Sequence, residues 1–197
     1  MSAAERRIEK SDIIPEAEFA AQRAERRAAL LPVKKLRRAA VGPDCTFYFE
    51  NYDTMLFQIQ EMLLIEKGGE EQLADELAAY NPLIPQGDEL IATVMFEIDN
   101  EMRRNALLNK LGGVEDKFYV QIGDKRVFAI PESDVERTRA GGKASSVHFI
   151  RFKLGAGHRA AFSDESTQIA IGVDHPEYPH AAFLAPATRA ELAGDFA

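Results

Sequence analysis

Alternation of apolar and polar residues predicts about six β-strands along the chain. The clearest is the run LIATVMFEI at residues 90–98, which is rich in the β-branched and aromatic residues that favour strands. Two further runs flank Gly123 and Asp124, a two-residue turn typical of a β-hairpin. The predicted strands are residues 46–50, 90–98, 117–122, 125–130, 146–154 and 167–173.

Helical spacing of apolar residues predicts five or six helices between these strands. Residues 16–31 are rich in Ala, Glu and Arg, which favour helix, and Pro32 is expected to interrupt this helix. Residues 34–40 are then either a second short helix or an extended basic connector. Further helices are predicted at residues 55–67, 70–80, 100–111 and 186–196.

The helix predicted over residues 55–67, with Thr54 as its N-cap, leaves almost no polar face. A helix that is apolar all round is buried in its own protein or against a partner. If one small core does not cover this helix, a homodimer is the expected arrangement.

The order of these elements favours an α+β fold with a mixed, mostly antiparallel sheet of about six strands and helices packed on it. The regular strand–helix alternation of a doubly wound fold is absent from the pattern. Residues 1–40 are predicted to form a basic helical N-terminal arm, and residues 41–197 a single α+β domain.

Composition narrows the class of protein. The 197 residues are 46% hydrophobic, which is enough for a packed core. The single cysteine, Cys45, cannot form an internal disulfide or hold an iron–sulfur cluster from this chain alone. The pattern contains neither a membrane-spanning apolar run nor a secretory signal, so a cytoplasmic protein is expected.

The net charge of −8 conceals an asymmetry. Residues 1–40 hold ten basic and six acidic side chains, which leaves −12 on the remainder. The basic arm either packs against its own acidic body or docks on an acidic partner. Nucleic acid is not an expected partner, because the net charge is negative and no aromatic residues interleave the basic run. The docking candidates are Arg23, Arg27, Lys34, Lys35, Arg37 and Arg38.

The segment DHPEYPH, residues 174–180, is a candidate ligand site in a loop after an apolar strand. The imidazoles of His175 and His180 are of the kind that bind metal ions, and either Asp174 or Glu177 adds a carboxylate. The alternative interpretation is a surface turn, stiffened by its prolines, in which the histidines bond to backbone groups.

His148 shares one face of its predicted strand with Ile150, Phe152 and Leu154. It is therefore either a core histidine or a functional imidazole in an apolar pocket. Glu61 interrupts the apolar helix and needs a partner, which is a basic residue of the arm, a histidine or a metal ion. Glu50 and Glu97 are further carboxylate candidates at strand positions.

Six stretches carry a resemblance to a known family: KKLRRAAVGP (34–43), FYFEN (47–51), QIQEMLLIE (58–66), AYNPLIP (79–85), SSVHFIRF (145–152) and AIGVDHPEY (170–178). Together they resemble an uncharacterised bacterial family, the domain of unknown function 3501. The resemblance implies that the protein is encoded near rubrerythrin-type proteins and cysteine-rich iron–sulfur oxidoreductases.

Three hypotheses about function follow. The first, which the resemblance implies, is an accessory protein of a redox or oxidative-stress module whose partner carries an iron–sulfur or di-iron centre. The second is a metal-binding protein or metal-dependent enzyme that holds iron, manganese or zinc between His148, His175 and a carboxylate. The carboxylate is that of Glu50, Glu61 or Glu97, and His180 is a further ligand candidate. The third is a metal-free acid–base enzyme, although no catalytic signature such as a P-loop or HExxH is present.

Overall fold

A computed structural model describes residues 4–132 and 142–196 of the chain. Within these residues the nine strands form two antiparallel sheets, which confirms the α+β prediction. The first sheet has the order β1 (Arg38–Val41), β2 (Cys45–Phe49), β3 (Glu89–Phe96), β7 (Val147–Lys153) and β6 (Ile130–Pro131). The second has the order β5 (Lys125–Phe128), β4 (Phe118–Ile122), β8 (Ile169–His175) and β9 (Tyr178–Phe183).

Helices fill the intervals between the strands. Three short 3₁₀ turns accompany them at Lys10–Asp12, Asn81–Leu83 and Val114–Asp116. The α-helices of the described residues are α1 (Glu16–Leu36), α2 (Tyr52–Glu66), α3 (Gly69–Tyr80), α4 (Glu101–Leu108), α5 (Ala156–Ser163) and α6 (Pro186–Ala193). None of them is both long enough and apolar enough to cross a membrane.

The single strand predicted over residues 125–130 is two strands, β5 and β6, and these belong to different sheets. The chain pairs with β4 as far as Phe128, and from Ile130 it pairs with β7 of the other sheet. A single polypeptide segment therefore passes from the edge of one sheet to the edge of the other.

The main core lies between the two sheets. Alternate residues of the first sheet, such as Phe47 on β2 and Phe152 on β7, point into it and are fully buried. Phe118 of the second sheet meets the Phe47 ring edge-on at 5.6 Å between centroids. The core is thus built from the inward face of each strand, as the period-two pattern predicts.

A second apolar cluster covers the opposite face of the first sheet. It joins Ile91 of β3 to Met55 and Ile59 of α2 and to Leu73 of α3. This helical layer leaves space over part of the sheet, and that space is the cavity described below.

Helix α1 continues through Pro32 instead of stopping there. Pro32 lies near the C-terminal end of the helix, where the loss of one backbone donor interrupts little of the hydrogen-bond ladder. Residues 34–36 complete α1, and residues 38–41 form β1, which pairs with β2. The predicted short helix or connector over residues 34–40 is therefore wrong, and the division placed at residue 40 falls inside a strand.

Helix α2 begins at Tyr52 and is capped by Asn51, not by Thr54. The Asn51 side chain accepts from the Thr54 backbone N–H at 3.0 Å, and the Thr54 hydroxyl accepts from the Asn51 N–H. The helix buries Met55 and Ile59, whereas Ile65 near its end is 66% exposed. Its burial is one-sided despite its apolar composition, and the homodimer stays a prediction.

Candidate functional site

The segment DHPEYPH forms a β-hairpin instead of the predicted loop. Strand β8 extends through His175 and pairs with β9, which begins at Tyr178, so Pro176 and Glu177 form the turn. The His175 Nδ1 atom accepts from the Glu177 backbone N–H at 3.2 Å, which leaves the ring proton on Nε2, 3.3 Å from the Gly112 carbonyl oxygen. Both ring nitrogens of His175 are therefore bonded to backbone groups.

The two other candidate ligands of this hairpin, His180 and Asp174, contact different side chains. His180 stacks edge-on against the Tyr178 ring at 4.5 Å between centroids. Asp174 is 54% exposed and lies 3.6 Å from the Arg126 guanidinium. The Asp174–Arg126 contact attaches the hairpin to β5.

His148 is fully buried in the main core. Its Nε2 lies 2.9 Å from the Ser145 carbonyl oxygen, so this nitrogen donates the hydrogen bond. The imidazole packs edge-on against the Phe96 and Phe118 rings at 6.2 and 5.4 Å between centroids. These contacts match the core-histidine interpretation of the strand pattern.

Glu61 and Glu97 are paired with other side chains. The Glu61 carboxylate receives two hydrogen bonds of 2.7 Å from the Arg23 guanidinium, which hold the pKa of Glu61 below its usual value. Glu97 accepts from the Tyr48 hydroxyl at 2.8 Å and lies 3.8 Å from Arg38. Across the described residues, no group of three or more His, Cys, Asp or Glu side chains is arranged to hold a metal ion.

The basic arm packs on its own body through three of the six docking candidates, since Arg38 lies 3.8 Å from Glu97. Arg23 binds Glu61 on α2, and Arg37 is 2% exposed. The Arg37 guanidinium donates to the Asp195 carboxylate at 2.5 Å and to the backbone carbonyls of Phe49 and Glu50. Arg27, Lys34, Lys35 and Arg38 stay at the surface.

A cavity of about 240 Å³ lies on the outer face of the first sheet, beneath the start of α2 and the end of α3. Cross-strand neighbours form one wall, because Thr93 of β3 pairs with Tyr48 of β2 on one side and with Phe149 of β7 on the other. We call this space the Glu50 cavity. It is lined by Lys34, Tyr48, Glu50, Thr54, Met55, Gln58, Tyr80, Leu83, Thr93, Met95, Val147 and Phe149.

Glu50 is the buried acidic group of this cavity, with 8% of its surface exposed. It follows β2 directly, and its backbone N–H donates to the Ile91 carbonyl of β3. One carboxylate oxygen accepts from the Thr54 hydroxyl at 2.6 Å, and the other accepts from the Thr93 hydroxyl at 2.7 Å. Two elements therefore fix both oxygens of the same carboxylate.

Nothing in the described chain balances the charge of Glu50. No Lys, Arg or His of residues 4–132 and 142–196 lies within ion-pair distance of its carboxylate. Removing a carboxylate from water is costly unless a cation or several hydrogen bonds compensate it. Two hydroxyl donors satisfy only part of the four acceptor sites of a carboxylate, so acceptor capacity remains on the cavity side.

Aromatic and sulfur-containing side chains form the other walls. Burial raises the pKa of Tyr80 and of Tyr48, so both phenols stay protonated at neutral pH. Met55 and Met95 contribute flexible, polarisable surface. Apolar walls with a few fixed polar groups are typical of small-molecule sites, although this cavity is smaller than most sites for drug-sized ligands.

Glu50 is the one predicted site carboxylate that reaches this cavity. The sequence reasoning missed Thr54, Thr93 and Tyr80, which lie far from one another along the chain. A signal was present in the alternation of β3, which puts Thr93 and Met95 on the same face. The pattern alone does not say that this face lies under a gap between helices.

Two antiparallel sheets with a helical layer over an acid-containing cavity define the class of this protein as an α+β protein with a small pocket. The chain belongs to the family described as protein of unknown function (DUF3501), whose family model matches residues 7–196. The resemblance stated from the motifs is thereby confirmed.

A solved structure has the same fold. It is the crystal structure of a novel protein of unknown function from Burkholderia pseudomallei K96243, with a TM-score of 0.88 and 37% sequence identity. The alignment covers 96% of this chain and 99% of that chain. A search of curated proteins found no significant match.

Proposed function

We propose that this chain is an accessory protein that binds a small molecule in the Glu50 cavity. The observation that carries the proposal is a carboxylate that is almost fully buried, faces a cavity and has no cationic partner in the described chain. A protein gains no stability from an uncompensated buried charge, so such a group is expected where a ligand completes it.

Binding is favoured over catalysis by the groups that line the cavity. Its titratable residues are Glu50, Lys34 and two tyrosines, and burial raises the pKa of both tyrosines. A general acid–base pair needs groups that exchange protons near neutral pH. His148 and His175, the two histidines of the acid–base hypothesis, are engaged with backbone groups outside the cavity.

The NMR signals of the methionine methyl groups provide the test of ligand binding in the cavity. Met55 and Met95 line the Glu50 cavity, whereas Met62 and Met102 do not. We expect a protein-free extract of bacterial metabolites to shift the ¹³C-methyl signals of Met55 and Met95 and to leave those of Met62 and Met102 in place. Val147→Phe, which fills the cavity, should abolish the shifts. Unchanged Met55 and Met95 signals in the wild-type protein would contradict the proposal.

We also propose that the accessory role includes docking on an acidic redox protein. The supporting observation is one face of α1, here called the α1 cationic face, which carries Arg27, Leu31, Lys34 and Lys35 at helical spacing. Leu31 is 57% exposed among these basic residues. An apolar anchor surrounded by positive charge suits a partner with a negative surface.

The docking proposal is tested by affinity capture with identified partners. The wild-type chain should retain a protein with an iron–sulfur or di-iron centre, recognised by its absorbance and metal content, and salt should release it. Arg27→Glu with Lys35→Glu should abolish the capture. Lys125→Glu with Arg126→Glu, on the exposed strand β5, is the matched control and should leave the capture intact. Recovery of no such protein, or equal recovery by both pairs of variants, would contradict the proposal.

A further inference from the structure

We infer that the ligand of the Glu50 cavity is a small zwitterion of the amino acid type, with its ammonium group at Glu50 and its carboxylate at Lys34. This inference rests on the proposed function and names the chemical class of the ligand. It is carried by the two charged residues among the cavity's lining, one acidic and one basic.

The two charges differ in burial, and the difference assigns the two ends of the ligand. Glu50 is 8% exposed, and both of its oxygens are fixed by threonine hydroxyls. It therefore offers a preorganised acceptor for an N–H donor in the interior. Lys34 lies near the end of α1, lines the cavity and is exposed, which places this residue at the mouth of the cavity.

The interior end of the ligand must be cationic. A neutral donor would hydrogen-bond to Glu50 but would leave the buried charge uncompensated, whereas an ammonium group supplies both the donor and the opposite charge. The Tyr48, Tyr80 and Phe149 rings surround the same space. Aromatic faces attract cations, and their apolar surface suits a short methylene chain.

The outer end of the ligand is anionic because Lys34 has no ion-pair partner among the residues that the structure describes. A positive charge at the mouth repels a simple amine and attracts a ligand that carries a carboxylate at its other end. Because Lys34 is exposed and screened by solvent, its contribution is smaller than that of Glu50. The size of the cavity limits the ligand to a few carbon atoms.

Four probes of equal chain length test the contribution of each charge of the ligand to binding. They are γ-aminobutyrate, n-butylammonium, butanoate and n-butanol, each titrated into ¹³C-methionine-labelled protein, with the homologues one carbon shorter and longer. The signals of Met55 and Met95 report binding. We expect the zwitterion to bind more tightly than the amine, and the amine more tightly than the alcohol or the alkanoate.

Two variants with matched controls connect the affinities to the residues. Glu50→Gln should weaken zwitterion binding by about tenfold or more, because it removes the buried partner of the ammonium group. Lys34→Gln should weaken the zwitterion a few-fold and leave the amine as tight or tighter. Glu71→Gln and Lys35→Gln change the same charges outside the cavity and should have no effect. If Glu50→Gln fails to fold, Lys34→Gln alone still distinguishes the zwitterion from the amine.

Each outcome decides a separate point. If n-butanol or butanoate shifts Met55 and Met95 as strongly as the zwitterion, the ligand class is overturned and the cavity stands as a binding site. If Glu50→Gln or Lys34→Gln leaves the affinity for the zwitterion unchanged, the class is overturned in the same way. If no probe, charged or neutral, shifts these two signals, both the ligand class and the proposed function fail.

Discussion

At the scale of single residues, the Tyr178 hydroxyl connects the second sheet to the turn between β1 and β2. It accepts from the backbone N–H groups of Asp44 and Cys45 at 2.9 and 3.0 Å, and it donates to the Val41 carbonyl at 2.8 Å. Gly42 in this turn has a φ of +67°, and a Cβ there would lie 2.8 Å from the Tyr178 oxygen. Glycine is therefore required by both the conformation and the close approach.

Tyr178→Phe should lower the free energy of unfolding by about 2–4 kcal/mol, because it leaves buried N–H and C=O groups without a partner. Urea denaturation measures the change. Tyr119→Phe is the control, since the Tyr119 hydroxyl bonds to none of the described residues. Equal losses in the two variants would show that the Tyr178 hydrogen bonds contribute nothing specific.

Glu50→Gln should leave the unfolding free energy of the ligand-free protein unchanged or raise it by about 1 kcal/mol. The amide still accepts one threonine hydrogen bond, and the uncompensated buried charge is gone. Glu61→Gln should instead destabilise the protein, because it breaks the bonds with Arg23. Urea denaturation at neutral pH compares the two, and a large loss in Glu50→Gln would mean that the carboxylate is structural.

At the scale of elements, α1 and α2 join the basic arm to the body. Their contact combines an edge-on pair, Phe19 and Phe57, at 5.7 Å between centroids with the Arg23–Glu61 ion pair. Prediction of the helices themselves needed only local periodicity. The pairing of these particular faces depends on residues 38 positions apart, which no local pattern identifies.

Arg23→Gln should lower the unfolding free energy at pH 7 only slightly, since Arg23 is partly exposed and its ion pair is screened. Because the ion pair lowers the pKa of Glu61 below 4.5, its stabilisation is present above that pH and is lost as the pH falls through the lowered value. The difference between wild type and variant should therefore vanish in acid.

Urea denaturation at several pH values measures this difference. Lys10→Gln, which removes a largely exposed ion pair with Glu70, is the control and should have a smaller effect. A difference that persists unchanged in acid would refute the linkage between the ion pair and Glu61 protonation.

At the scale of the whole molecule, the positive arm and the negative body meet at Arg37. Its guanidinium joins the end of β2 to Asp195 near the other end of the chain. Burial raises the pKa of Asp195 even though Arg37 lies beside it. The carboxylate therefore depends on this partner for its charge.

Arg37→Met should lower the unfolding free energy by about 3–5 kcal/mol at neutral pH, because it leaves a buried carboxylate unpaired. The loss should shrink as the pH falls, since Asp195 then takes up a proton and the unpaired charge disappears. The double variant Arg37→Met with Asp195→Leu should recover much of the stability. Thermal and urea unfolding test this, and a double variant no more stable than the single would contradict it.

The amino-acid sequence by itself determined the α+β class, most of the strands and helices, and the family. Periodicity and capping residues act over a few neighbouring positions, so they can be seen without the fold. Resemblance likewise needs only the order of motifs along the chain. The same local patterns left Glu61 with several alternative partners.

Only the tertiary structure decided how the strands divide into two sheets and which polar groups meet. Residues 125–131 pair with both sheets, His148 enters the core, and Arg23 meets Glu61. Glu50 and Thr93 lie 43 positions apart and form the cavity's acidic site only because β2 and β3 are neighbours under a gap in the helical layer. Such contacts depend on packing between distant segments, which is the property that local sequence patterns do not encode.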